Sequence, residues 1–358
     1  MKKEKPMSKH LFGLIVTPYG AAANNRGENE GNITTLQKLL WKNEIHTTVS
    51  AEAIRWALRY FWQKRDGDNS VNRQWNDDTA EHTWQDQTWA PWTSNDEAVQ
   101  GRPTFIDDDV MGFMLAEAAN IDGNDEVDNL KADRKKIDEQ LKAMSKEDKK
   151  SEQGKALDQQ KKGLTAKIDV RSKGKTDKRR GALEVTRAIS LAPFAGDITF
   201  NAKSGTKTNT SLYGTEVHAT RYQYGIALTP QSLRVPARVL DVVDAITGLC
   251  EVAGNQSRFL FDFAPESIVF RWTEDFAPRM LYGFEMDSEA NLSFPSILKK
   301  VADGDIAASE MVIGGAITAT MDDAAKEILK GASINPGVKA AAQELKRRIS
   351  GDLGTTGG

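Results

Sequence analysis

Apolar residues fall into three kinds of run along this chain, and each kind predicts a different element. Residues 10–18, HLFGLIVTP, form one unbroken run closed by Pro18, which suits a central strand buried on both faces. In TRYQYGIAL the residues Tyr222, Tyr224, Ile226 and Leu228 recur with a period of two, so they share one face of a strand. Ala51, Ile54, Leu58 and Phe61 recur at helical spacing and predict an amphipathic helix over about 51–63. Residues 44–49 read as extended, and Ser50 reads as the helix N-cap, with Glu52 near its positive end. Strands are also predicted at 267–273, 279–286 and 311–318, and helices at 230–250, 321–330 and 338–349.

Between these runs the pattern fails in informative ways. YGAAANNRGENEGN, rich in Gly and Asn, reads as a long loop. Residues 66–103 have poor periodicity, and six of the eight tryptophans lie between Trp56 and Trp92, so an irregular inserted lobe is expected. FIDDDVMGFMLAEA reads as an acidic turn followed by a strand. Residues 122–180 contain no aromatic residue. Leu130, Ile137, Leu141 and Met144, then Leu157, Leu164 and Ile168, give helical spacing to two highly charged arms, a helical hairpin with a basic tail, RSKGKTDKRR. DITFNAKSGTKTNTSLYGTEV reads as an extended arm, a turn and a returning arm. GDLGTTGG reads as a flexible tail, and no internal repeat is present.

Composition narrows the class without naming it. The 358 residues suffice for one large domain with insertions or for two domains. A net charge of -3 excludes a uniformly basic coat but not a local basic groove. The single cysteine, Cys250, excludes an intramolecular disulfide, fits a reducing compartment and reads as core packing. The N-terminus lacks the apolar core of a signal peptide, and no apolar run is long enough to span a membrane, so a cytoplasmic protein with no membrane partner is expected.

Catalytic chemistry finds little support. The four histidines, His10, His46, His82 and His218, are scattered, and no metal-binding His/Cys spacing, nucleophile elbow or phosphate-binding GxxxxGK[ST] loop occurs. Asp107, Asp108 and Asp109 either bind a divalent ion or form an ordinary acidic loop. Nucleic-acid binding is supported indirectly. Arg26 sits beside Asn24 and Asn25 in a loop able to wrap a phosphate. Arg55 and Arg59 put charge one turn apart near a helix start, which itself favours anions; a solvated helix face is the plainer alternative. The tryptophans either stack bases or form the core of a small lobe. The arm carrying Phe200 either wedges between bases or is an ordinary exposed hairpin.

Several blocks resemble a known family in their order. NNRGENEGN…HTTVSAEAIRWALR, FIDDDVMGFM, RRGALEVTRAISLAPFAGDITF and SLYGTEVHATRYQYGIALTP resemble the Cascade backbone subunits of CRISPR interference complexes, the "Cas seven" group, in its DevR-like type I-B branch. The resemblance spans roughly 8–63, 101–119 and 179–320. It implies an α+β fold, an RRM-like palm with a ferredoxin-type βαββαβ sheet over 8–63, 101–121 and 181–350. A Trp-rich fingers insertion would cover 64–100, a charged helical insertion 122–180, a β-hairpin thumb 193–221 and a flexible tail 351–358. It implies a non-catalytic guide-RNA (crRNA) binding subunit that oligomerises along the guide and presents it to target DNA. Further copies of the chain and other Cascade subunits of the Cas five, Cas six and Cas eight types would be partners, with no cofactor or metal.

The residues implied to bind RNA are Asn25, Arg26, His46, Thr48, Ser50, Arg55, Arg59, Phe200 (the wedge), Lys203 and Lys207. Three departures matter. Relatives in RNA-targeting complexes cut RNA with an early-loop aspartate, whereas residues 24–32 hold Glu28 and Glu30 but no Asp. Trp56 stands where some relatives carry a base, and 122–180 match no family block. The alternatives are a metal-dependent ribonuclease using Asp107, Asp108 or Asp109, alone or with Glu28, and a protein scaffold that binds no nucleic acid.

Overall fold

The computed structural model describes residues 8–23, 26–116, 125–144, 151–172, 176–202, 212–249, 251–253 and 261–354. Asn25, Lys203, Lys207 and Cys250 lie outside them. The fold mixes helix and sheet and divides into two compact units. One comprises Met1–Gln87, Pro103–Met111 and Gly181–Gly358; the other comprises Thr88–Arg102 and Gly112–Arg180.

The first unit is built on a large sheet. Its strands are β1 (His10–Val16), β4 (Lys38–Trp41), β5 (Glu44–Val49), β6 (Leu183–Val185), β7 (Ala188–Ser190), β10 (Tyr222–Leu228), β11 (Ser267–Thr273), β12 (Met311–Gly315) and β13 (Ser333–Asn335). They lie in the order β13-β12-β11-β1-β10-β7-β5-β4, with β6 also pairing with β10. The central pairings β11–β1, β1–β10 and β10–β7 are antiparallel, and only β12–β13 is parallel. Strand β1 sits in the middle because its side chains are apolar on both faces. Leu11 and Ile15 join one core cluster, while Leu14 and Val16 join the other.

Helices α1 (Ala51–Asp66), α5 (Arg238–Gly248) and α6 (Val338–Leu353) cover the first face. Ile54, Leu58 and Trp62 of α1 are fully buried there with Val242 and Ile246 of α5 and Leu345 of α6. Each such side chain stabilises the fold by roughly 1.5–3 kcal/mol. Met280, Phe284, Phe294 and Ile297 cover the second face over Leu14, Val269 and Ile313. Helix α6 runs through Leu353, three residues into the segment expected to be flexible, and Asp352 accepts hydrogen bonds from Trp272 (2.5 Å) and Lys9 (2.8 Å). Distant donors that a local pattern does not contain hold this end of the chain.

A smaller sheet in the same unit corrects the expected long loop. Arg26–Glu30 (β2) and Ile33–Leu36 (β3) form a hairpin, closed at Gly31 with φ +63°, a left-handed turn conformation that glycine adopts without a Cβ penalty. It joins a second hairpin, Ile198–Ala202 (β8) and Leu212–Glu216 (β9), in the order β8-β9-β3-β2. Within the Gly/Asn-rich stretch Gly20–Ala22 pairs with His218–Thr220, far away in the chain, and β2 pairs with the neighbouring β3, which β9 in turn joins to the second hairpin. The predicted strand at 279–286 shrinks to Glu285–Met286, because Met280 and Phe284 turn inward to cover the sheet. The predicted helix at 230–250 starts only at Arg238.

In the second unit, α3 (Asp125–Ala143) packs against α4 (Glu152–Ser172), and Lys161 Nζ lies 2.6 Å from Asp138. Strands Gly112–Ala116 and Thr176–Arg180 pair antiparallel at the root of this helical pair. Phe113 stacks on Trp89 with ring centroids 4.8 Å apart, and Arg179 lies over the Trp92 ring at 4.1 Å. Among the described residues no helix is long and apolar enough to cross a membrane.

Candidate nucleic-acid interface

The start of α1 is set by Ser50. Its Oγ accepts a hydrogen bond from the Ala53 amide at 3.2 Å, closing the cap that the sequence predicts and contributing about 1 kcal/mol. Strand β5 runs straight into this cap, and β7 pairs beside it, with Ala188 opposite Val49 and Ile189 opposite Thr48.

That pairing brings Arg187 to the helix entrance. Its Nη1 donates to Thr48 Oγ1 and to Gln37 Oε1, both at 3.2 Å, while the side chain stays exposed. Gln37 follows β3 directly, and its carbonyl accepts from the Thr48 amide at 2.9 Å. Leu36, one residue earlier, pairs with Arg26 of β2. The strand that carries Arg26, the exposed Arg187 and the start of α1 are therefore linked through Gln37 and Thr48. Arg187 belongs to a block that carries the resemblance, yet it is not among the residues expected from the sequence to bind RNA. The signal was a lone arginine between two short strands, and only their pairing places it.

The two arginines of α1 have different surroundings. Arg55 is about a third exposed (31% of the side chain), and its guanidinium lies 3.8 Å from Glu184. Its Nε is buried without a hydrogen-bond partner among the described residues. Arg59 turns inward: Nε donates to Asp107 at 3.0 Å, and that carboxylate is almost fully buried. Arg59 is thus a positioning residue for the Asp107 segment, not an open cation.

Asp107 also accepts from the amides of Asn72 (2.8 Å) and Arg73 (3.1 Å). Asp108 accepts from Asn72 Nδ2 (3.0 Å), and Asp109 from the amides of Arg234 and Val235 and from Arg238 (2.8 Å). These three carboxylates begin a short helix, α2 (Ile106–Met111), where a turn had been expected. Negative charge at a helix start is favoured, and the donors come from segments far away in the chain. The acids act as buried joints between segments, and among the described residues no group of acids, histidines or cysteines is arranged to hold a metal ion.

His46 and Thr48 are both buried. His46 Nδ1 donates to the Ser190 carbonyl at 2.7 Å and so locks β5 to β7. A related network lies next to it. The Pro193 carbonyl can only accept, so His218 Nε2 donates to it (3.1 Å) and Nδ1 accepts from Thr47 Oγ1 (2.7 Å). Thr47 in turn accepts from the Tyr222 hydroxyl at 2.8 Å. Burial holds the His218 imidazole neutral, with its pKa lowered to about 4.

Phe200 lies on β8, opposite Gly214, and is 65% exposed. In register it falls in one row with Gly214, Ile33 and Glu30, so the smaller sheet unites the Phe200 strand with the Arg26 strand. The tryptophans divide. Trp62 is core. Trp56 stacks on Tyr60 (5.2 Å) and meets Trp75 edge-on (5.6 Å), binding the hairpin Arg73–Asn76/Glu81–Trp84 to α1.

No protein-family model matches the chain. In sequence it is 41% identical over 352 residues to the CRISPR-associated protein Cas7/Cst2/DevR of Myxococcus xanthus (strain DK1622), a match covering 96% of this chain and 98% of the relative. In structure it is similar to a chain of a CRISPR RNA-guided surveillance complex, with a TM-score of 0.48 and 10% identity, covering 95% of this chain and 99% of that one. A chain from such a complex described as pre-nicking gives a TM-score of 0.47, again at 10% identity, with the same coverage. With two fifths of its residues shared along nearly its whole length, the chain belongs to the CRISPR-associated Cas7/Cst2/DevR family.

Proposed function

We propose that this chain is a non-catalytic guide-RNA-binding backbone subunit of a type I CRISPR interference complex, in the I-B branch. Copies of it line one guide, and the guide's bases are left to pair with target DNA. Other Cascade subunits of the Cas five, Cas six and Cas eight types complete the assembly. The observation that carries this reading is Arg187, an exposed guanidinium fixed by Gln37 and Thr48 beside the capped amide end of α1. A phosphate entering there meets a positioned cation and a helix dipole together. Arg55 extends the same surface by its exposed side, and the β2 strand carrying Arg26 approaches it from the other end.

An RRM-type palm is supported by connectivity. The chain order β1–α1–β7–β10–α5–β11, with the spatial order β11-β1-β10-β7 all antiparallel, is that of a βαββαβ unit. The hairpin β8–β9, with Phe200 exposed, supplies the thumb, and Lys203 and Lys207 belong to its tip in sequence. The non-catalytic reading is supported by the buried carboxylates of Asp107 and Asp109, each of which accepts from three donors. Ribonuclease action through them would require breaking the joints they make.

RNA affinity is expected to fall steeply with salt. Replacing both Arg55 and Arg187 by Ala weakens binding to all RNA sequences alike and lowers the salt slope by about two, one per lost phosphate contact. Fluorescence anisotropy across a salt series measures both. A double variant with wild-type affinity and slope would remove this surface from the RNA path. Absorbance at 260 nm after co-expression with a guide is the simpler first check.

A further inference from the structure

Next to Arg187 the surface carries a pair of aromatic rings that the phosphate path leaves unused. Trp41 ends β4, and Tyr282 comes from the segment crossing the sheet's second face. Their ring centroids lie 5.2 Å apart, tilted by 57°, and both side chains are partly exposed. The Tyr282 hydroxyl donates to the Arg187 carbonyl at 2.9 Å, so the ring and the cation share one anchor.

Tyr282 is held in a costly conformation. Its φ is +54°, the left-handed region that a bulky side chain rarely adopts. The neighbouring residues impose it. Leu281 packs onto Gly225, where an added Cβ would come within 2.4 Å of it, and Phe284 exchanges two hydrogen bonds with the Gln223 side chain (3.1 Å each). The segment is clamped on both sides of the tyrosine.

A purely structural role, pinning the segment to the sheet, accounts for the clamp but not for what surrounds it. Leu39, two positions before Trp41 and so on the same face of β4, is exposed, and so is Leu281 beside Tyr282. Apolar and aromatic surface beside a positioned arginine is the composition that binds a single polynucleotide strand, with bases on the rings and phosphate on the cation.

We propose that Trp41 and Tyr282 form a stacking platform for one base of a single strand whose phosphate lies on Arg187. This rests on the phosphate-binding reading above and adds the base contact to it.

The test uses the full chain purified free of nucleic acid, with fluorescein-labelled oligouridine and oligodeoxythymidine as probes. Trp41→Ala is expected to weaken binding about 5- to 100-fold, as loss of one stacked base does, with the salt slope unchanged. Trp41→Phe and Tyr282→Phe retain most of the affinity because a ring remains, whereas Tyr282→Ala does not. Loss with oligouridine alone identifies the guide as the strand; loss with both probes identifies any single strand. Wild-type affinity of Trp41→Ala on both probes overturns the platform. So does unchanged affinity with an altered oligomeric mass, which assigns the patch to a protein contact.

If the Ala variants do not fold, wild-type protein is irradiated with 5-bromouridine-substituted RNA. A cross-linked peptide containing Trp41 or Tyr282 supports the platform, and cross-links confined to other peptides overturn it. Weakening by Arg187→Ala but not by Trp41→Ala sinks the stacking alone. A wild-type chain that binds neither probe sinks the phosphate reading with it.

Discussion

Arg55 and Arg59 are one helical turn apart and chemically identical, yet they face different tasks. Arg59 neutralises a buried carboxylate, so Arg59→Ala leaves Asp107 with only its two backbone donors and costs roughly 1–3 kcal/mol. Arg55→Ala leaves no buried charge and changes stability by less than about 0.5 kcal/mol. Urea unfolding of the two variants should therefore separate clearly, with RNA affinity moving in the opposite sense; equal unfolding midpoints would contradict the assignment. His218 gives the pH dependence. Its folded pKa, about 4, lies below its ordinary value of 6.5, so the unfolded chain binds the proton more readily between those values. The neutral ring's stabilisation is complete above about pH 6.5 and is lost as pH falls toward 4, at up to about 1.4 kcal/mol per unit. Thermal melts of His218→Gln should show a shallower slope over that window than wild type. Parallel slopes would mean the ring does not titrate this way.

At the scale of elements, the hairpin β4–β5 positions Trp41 through its turn. Lys42 and Asn43 both adopt positive φ (+50° and +68°), the geometry of a type I′ turn, in which Asn-Gly is preferred. Replacing Lys42-Asn43 by Asn-Gly relieves strain at both positions and is expected to stabilise the chain by roughly 0.5–1 kcal/mol without altering the aromatic pair. A differential scanning melt checks this, and a lowered midpoint would show that Lys42 contributes beyond the turn. The end of β12 is the opposite case. Gly315 has φ +101°, and a Cβ there would lie 2.1 Å from the Glu266 carbonyl oxygen, so Gly315→Ala must displace backbone and destabilise by more than about 2 kcal/mol.

At the scale of the molecule, the two compact units differ in kind. The sheet unit has cores on both faces of β1, whereas α3 and α4 bury chiefly a seam around Ile137 and carry dense surface charge. The paired strands at the root of α3 and α4 bring the ends of the insertion together. Replacing residues 117–175 by a short Gly-rich turn should therefore leave the far-UV spectrum of the sheet unit and the RNA affinity unchanged. A chain that no longer folds after this excision would assign the insertion a structural role.

What the sequence determined by itself was local. Strand β1 was legible from its unbroken apolar run, β10 from its period of two, and the α1 start from Ser50 and the 3.6-residue spacing. These signals are local because a strand, a cap and a helix face each depend on residues a few positions apart. The family was legible as well, because several blocks recur in a fixed order. Pairing between distant segments decided the rest. It paired Gly20–Ala22 of the Gly/Asn-rich stretch with His218–Thr220 and joined the β2–β3 hairpin to β9, spent Arg59 on Asp107, and drew three aspartates into a helix start. It also placed Arg187 at the mouth of α1 and Tyr282 against Trp41. Each outcome turned on which partner was nearest in space, a quantity that spacing along the chain does not contain.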